Sequence, residues 1–326
     1  MPLLHRRTFL LAVAGTASSF IARGAAWALD YPTRPVRIVV GFAAGGATDI
    51  IARLVGQGLS ARLGQSFVVE NRPGAGTNIA TEAVIGAPAD GYTLLFVGPP
   101  AAINATLYGK LPFDFISDIA PVATIVRVPF VIVVNASFPA KSVPELIDYA
   151  KANPGKISMG VPGKGSGPHM AGELFKAMAG IDMTTVQYRG DAPALSDLMG
   201  GQIQLCFNSL PAAIELIKAG KVRALATTAM TRSNALPDLP AAAEFVHDYE
   251  ASAFYGLGAA KKTPSAIIDK LSVAINATIA DHAVATRLAG LGGTVLALSP
   301  PEFEKLIAAE TDKWAKVIRS AHIKLD

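Results

Sequence analysis

The sequence predicts an α/β fold in two domains, on three observations. Strand-length apolar runs alternate with longer segments of helical periodicity along most of the chain. The 326 residues exceed the about 100–200 that one ordinary core organises. A glycine-rich loop stands between an apparent strand and an apparent helix twice, once in each half.

Val36–Val40 is a β-branched strand, and residues 49–63 carry Ile50, Ile51, Leu54, Val55, Leu59 and Leu63 at helical spacing. Strands at 67–69 and 93–97 bracket a helix over 78–85, and 122–126 and 130–134 read as two more strands. Ser142-Val-Pro-Glu145 is a capping box that opens a helix to about Lys151. The alternation continues with a strand at 157–161 and a helix over 169–179, then a strand at 185–188 and a helix over 192–199. A strand at 205–207, a helix over 211–219 and a strand at 222–227 complete it. Such a βαβ rhythm implies mostly parallel sheets flanked by helices. A second capping box, Ser299-Pro-Pro-Glu302, starts a helix whose stripe of Phe303, Leu306, Ile307, Trp314, Val317 and Ile318 marks Trp314 as a packing anchor.

The first residues read as an export signal. Arg6-Arg7-Thr-Phe-Leu precedes a short apolar stretch and then Ala26-Trp-Ala28, a small-x-small cleavage pattern, so residues 1–28 form a twin-arginine-like signal cleaved near Ala28. That stretch is too short and too rich in small residues to span a bilayer. The expected location is therefore the periplasm. Cleavage removes Arg6, Arg7 and Arg23 and no acid, so the net charge falls from +4 to +1. A pI near 9.1 suggests a polyanion partner, and the near-neutral mature chain argues against nucleic acid. With 51% hydrophobic residues the chain is not disordered, and a lone Cys206 excludes an intrachain disulfide framework and reads as a small buried hydrophobe.

The two loops run from Gly41 to Asp49 and from Pro162 to His169. At the carboxyl end of a parallel strand and the N-terminus of a helix, such loops present amide N–H groups and a partial positive charge to an anion. Thr48 and Ser166 add hydroxyls. Glycine turns of this kind also occur as plain tight turns. No P-loop and no complete dinucleotide fingerprint is present, so no cofactor is expected. Ser166 lacks the nucleophile-elbow pattern, and His169, His247, His282 and His322 form no zinc motif, so no catalytic group and no metal are expected. His169 could touch a ligand carboxylate or satisfy the helix start. Asp49 would cap its helix and orient the loop, because it would repel a bound anion.

These residues resemble the substrate-binding proteins of tripartite tricarboxylate transporters, the Bug or TctC family. The stretch from Tyr31 to Asp49 carries the resemblance, together with Glu70-Asn-Arg-Pro-Gly-Ala-Gly76, Asp90-Gly-Tyr-Thr-Leu-Leu95 and Gly165-Ser-Gly-Pro-His169. Gln187-Tyr-Arg-Gly-Asp-Ala-Pro-Ala-Leu195, Gly200-Gly-Gln202, Ala219-Gly-Lys-Val-Arg-Ala-Leu225, Leu236-Pro-Asp-Leu-Pro240 and Lys313-Trp314 extend it over essentially the whole mature chain. The resemblance implies a periplasmic-binding-protein-like fold of type II, a venus flytrap. Residues 29–130 plus 254–326 would form one domain and 131–253 the other, joined by two crossing strands. The chain would leave the first domain near 128–134 and return near 253–258.

It further implies a carboxylate held by the loop with Phe42, Ala44, Gly45, Gly46, Thr48 and Asp49. From the opposing domain come Gly165, Ser166 and His169, the turn Arg189, Gly190, Asp191 and Ala192, and a polar residue at Asn208. Expected ligands are dicarboxylates, tricarboxylates, acidic amino acids or aromatic acids, delivered by a monomer to membrane transporter subunits. Gly41 and Ala47 replace prolines common in the family, which implies a looser first loop. Gly98-Pro-Pro-Ala101 replaces a hydroxyl-rich run, which favours a partly apolar acid. Two rival readings stand beside this one: an exported α/β hydrolase acting on a carboxylate ester through Ser166, and a ligand-sensing partner of a membrane kinase.

Overall fold

The computed structural model describes residues 30–320 and 323–324. The expected signal at 1–28, its arginines and Ala28, and also His322, lie outside the described residues.

One five-stranded plan occurs twice. In the first lobe β1 (Val36–Val40), β2 (Phe67–Asn71) and β3 (Thr93–Val97) are parallel, and β9 (Ser252–Ala260) runs antiparallel between β3 and the first part of β4 (Ile119–Asn135). The order is β2-β1-β3-β9-β4, and the two-residue strand Thr294–Val295 adds to β4 at the edge. In the second lobe β5 (Ser158–Val161), β6 (Thr184–Gln187), β7 (Leu205–Ser209) and β8 (Val222–Thr227) flank the remainder of β4, in the order β6-β5-β7-β4-β8. In each set of five, four strands point one way and one opposes them, so the mostly parallel expectation holds. The second lobe thus repeats the first, and the chain has the two-domain, type II binding-protein fold.

The two strands expected at 122–126 and 130–134 are one. β4 pairs with β9 as far as Pro129 and with β7 from Phe130 onward. Pro129 cannot donate to a ladder, and it sits where the strand changes partners, a place that tolerates the missing N–H. Thr228 ties the returning chain to this crossing. Its Oγ1 accepts from Phe130 N (2.9 Å) and donates to Ala251 O (2.6 Å), and its N–H donates to Phe130 O (3.0 Å).

Both faces of the sheets are covered, which is why their strands read as continuous apolar runs. Val36, Ile38 and Val40 pack into one core, and Val39 packs on the other face with Leu95, Val97, Phe254 and Phe303. The helices that matter for the site are α1 (Ala47–Leu63), α3 (Pro100–Leu107), α6 (Gly167–Ala179), α7 (Asp191–Met199) and α8 (Leu210–Lys218). Helix α2 (Asn78–Ile85) is at its expected place, and α5 (Val143–Ala152) begins at Ser142, whose Oγ accepts from Glu145 N (3.3 Å). The long C-terminal helix (Pro300–Ser320) buries Phe303, Ile307, Trp314 and Ile318 as its stripe predicts. Trp314 is 1% exposed, and its indole N–H donates to Glu310 Oε2 at 3.1 Å. Cys206 is buried, as expected.

The sequence reading did not identify α3, the short helix at Phe115–Asp118, or the helices Ser265–Ile279 and His282–Gly290. Asp281, whose side chain accepts from Ala283 and Val284 N–H groups, and Pro100 in the first turn of α3 were start signals for two of them.

Candidate ligand-binding cleft

Each glycine loop is braced from within. In the first, Gly45 takes φ +84°, a left-handed value that suits glycine, and donates its N–H to Asp49 Oδ2 at 3.1 Å. Arg53 reaches back one turn, with Nε 3.0 Å from Asp49 Oδ2 and Nη2 2.8 Å from Oδ1. Arg53 also donates to Asn71 Oδ1 (3.2 Å), whose Nδ2 donates to Phe42 O (3.0 Å). Burial pushes the Asp49 carboxyl up, and the hydrogen bonds from Arg53 and the Gly45 amide outweigh it, so its pKa lies below the usual range. Asp49 therefore orients the loop, the role its charge predicts. Gly41 and Ala47, which stand where the family commonly has proline, flank this braced loop. Beyond this brace, Thr77 packs so closely that a Cβ on Gly41 would lie 2.5 Å from Thr77 Cβ.

The second loop is held by Ser166 and His169. Ser166 Oγ caps α6 by accepting His169 N (3.2 Å), and His169 Nδ1 accepts Gly165 N (3.3 Å). Burial lowers the His169 pKa to about 4, against the opposing pull of Glu173, so the imidazole is neutral with a free lone pair for that amide. Of its two expected roles, His169 fills the one at the helix start.

The lobes meet across these loops. Ala43 N donates to Arg189 O (3.0 Å), and Ala47 N donates to Asp191 Oδ2 (3.1 Å). Gly190 and Gly46 permit this approach. A Cβ on Gly190 would lie 3.2 Å from Ala43 Cβ, and one on Gly46 2.8 Å from Asp191 Oδ2. Helix α1 has no side-chain cap of its own at Gly46, and the carboxylate of the opposite lobe serves instead.

Between the lobes lies an interior cavity. Among the expected site residues, Phe42, Thr48, Ser166 and Asp191 line it. Ala44, Gly45, Gly46 and Asp49 form the loop and first turn behind the wall, as Gly165 and His169 do on the other side. Arg189, Gly190 and Ala192 abut the first loop. Asn208 lies beneath, its Nδ2 3.5 Å from Asp191 O and its Oδ1 accepting Ser209 N (3.0 Å). Ser209 and Tyr255 line the cavity without having been foreseen, as do Thr77, Thr81 and Phe96. Ser209 adjoins Asn208 in sequence, and Tyr255 lies in the returning strand, whereas nothing local marks the other three.

Six helices of two turns or more begin at this cavity: α1, α2, α3, α6, α7 and α8 each place a first-turn or cap residue in its wall. Their N-termini together favour an anion without a cationic side chain, and no Lys, Arg or His is among the lining residues. Thr48 Oγ1 is buried there without a hydrogen-bond partner. The Ser166–His169 pair has no nucleophile–base geometry, because Ser166 Oγ meets the histidine's backbone N–H and the Nδ1 is engaged by Gly165. Among the described residues no group of three His, Cys, Asp or Glu could hold a metal, and no helix is long and apolar enough to cross a membrane.

Comparison with known proteins places this architecture. The profile of the tripartite tricarboxylate transporter family receptor matches residues 51–323. The chain belongs to this family. The protein BugT of Bordetella pertussis is 36% identical over 322 residues, covering 98% of this chain and 99% of that one. The structure of R. palustris Rpa4515 with adipate superposes with a TM-score of 0.88 at 39% identity, over 90% of this chain and 99% of that one. MatC from Rhodopseudomonas palustris with bound malate gives 0.85 at 31% identity, over 88% and 100%. The family is one of transporter receptors, and the sequence resemblance to it is borne out.

Proposed function

We propose that this receptor captures a small organic carboxylate in the periplasm by closing its two lobes on it, and delivers it to membrane subunits of a tripartite tricarboxylate transporter. The observation that carries the reading is the convergence of six helix N-termini and an unpartnered Thr48 hydroxyl on one interlobe cavity. A carboxylate there is held by dipoles and hydroxyls in a water-poor space, where each charge-assisted hydrogen bond is strong. Adipate in Rpa4515 and malate in MatC are ligands of the same chemistry in similar folds.

In this reading Phe42, Thr48, Ser166 and Asp191 touch the ligand, and the other loop residues hold them. Residues 29–130 plus 254–326 move against 131–253 about the crossing near Pro129 and Thr228. The chain acts as a monomer, without catalysis, after removal of residues 1–28.

The test is calorimetry and thermal shift with a panel of mono-, di- and tricarboxylates. A ligand at one hundred times its Kd adds about 2.7 kcal/mol to stability and raises Tm. A panel in which no carboxylate binds sinks the proposal. Ester turnover abolished by Ser166→Ala would instead support a hydrolase. Ligand-dependent capture of a membrane kinase would support a sensor.

A further inference from the structure

Asp191 stands out because it brings a carboxylate into a cavity otherwise suited to receive one. It is 5% exposed and lines the cavity wall. Its Oδ2 accepts from Ala47 N and its Oδ1 from Ser209 N, each at 3.1 Å. Those amides belong to the starts of α1 and α8, so two of the six helix starts are already occupied by a carboxyl group of the chain, whose pKa burial pushes up and these two amides pull back down. No basic side chain lines the cavity to neutralise a further one. What remains is the hydroxyls of Ser166, Ser209, Tyr255, Thr77 and Thr81, an unpartnered Thr48 Oγ1 on a residue 7% exposed, and apolar wall from Phe96, Val97, Pro99, Pro100 and Phe115.

We infer that Asp191 sets the charge selectivity of the site: its carboxylate takes the place of a ligand's second carboxylate, so the receptor prefers a monocarboxylate with an apolar body over a dicarboxylate of the same length. The inference rests on the carboxylate-binding reading above and narrows it. One ligand carboxylate is served by Thr48 and the remaining helix starts. A second would lie in the same space as Asp191 with no basic side chain to offset the repulsion between like charges. The apolar wall offers a methyl or phenyl end the burial it denies to a charged one.

The test is calorimetric titration of the full mature chain at pH 7.5 with two matched pairs, hexanoate against adipate and benzoate against terephthalate. Within the pair that binds, the monocarboxylate is expected to bind at least tenfold more tightly. The folded Asp191→Asn variant should narrow that ratio severalfold. Where that substitution disturbs folding, Asp191→Thr, which keeps one acceptor oxygen and no charge, replaces it. Dicarboxylate binding as tight as or tighter than the matched monocarboxylate in the unaltered chain overturns the inference and leaves carboxylate binding intact. A ratio unchanged in the folded variants overturns the role of Asp191. If neither pair binds, nor any acid of a wider panel, the carboxylate reading itself falls, and this inference with it.

Discussion

His169 Nδ1 accepts the Gly165 amide at 3.3 Å across the end of the second glycine loop. The bond requires an unprotonated nitrogen, and burial lowers the His169 pKa to about 4. The unfolded chain takes up this proton near the ordinary pKa of about 6.5. Between those values the unfolded state binds more protons than the folded one, so stability falls as pH drops from about 6.5 towards 4. Urea unfolding across that range should show the loss, and His169→Gln, which cannot titrate, should lose less. Equal pH slopes for the two proteins would contradict a buried neutral imidazole.

Gly46 tests the contact between lobes. Its φ of −86° suits any residue, but an added Cβ would stand 2.8 Å from Asp191 Oδ2 of the opposite lobe. Gly46→Val should therefore leave unfolding stability within about 1 kcal/mol while weakening ligand binding by tenfold or more, about 1.4 kcal/mol per decade. Small-angle scattering should show a larger radius of gyration with ligand present than the parent chain has. Parent-like affinity would mean that the lobes close on ligand without this approach.

Thr48 separates stability from binding. Its buried hydroxyl has no partner, and a buried unpaired polar group costs about 1–3 kcal/mol. Thr48→Val keeps the shape and removes that cost, so the ligand-free protein should gain about 1 kcal/mol by chemical denaturation. Carboxylate affinity should fall about tenfold by calorimetry. A variant less stable and equally tight in binding would contradict the assigned role.

Trp314 is the anchor of the C-terminal helix. Truncation to Ala leaves a cavity and strips Glu310 of its indole donor, while Arg127 still pairs with Glu310 at 3.5 Å. The expected cost is about 3–5 kcal/mol by urea unfolding. Trp314→Phe should cost less, because it fills most of the space.

Periodicity and caps made much of the fold legible. β1, β3, α2 and β8 coincide with their expected spans, because a strand buried on both faces and a helix with an apolar stripe are written locally. The single strand β4 was not legible, since Pro129 locally reads as an interruption and only the change of partner makes it tolerable. At the site, the loops were legible as glycine turns before helices. Thr77, Thr81 and Phe96 were not, because residues on a loop, a helix and a strand share one cavity wall only through tertiary packing.

The two-domain α/β plan is thus a property of the sequence by itself, carried by short-range pattern and by glycines that only a few backbone conformations explain. The family is legible there too, because its motifs follow in order along nearly the whole mature chain. What the tertiary structure alone decided is which groups face the interlobe cavity. Asp49 and His169, both candidates by sequence, turn inward to brace their loops, and Asp191 reaches Ala47, 144 residues away in the chain, to cap a helix of the other lobe. Hydrogen bonds that span two lobes are satisfied by geometry, and no local pattern encodes which buried donor a carboxylate will meet.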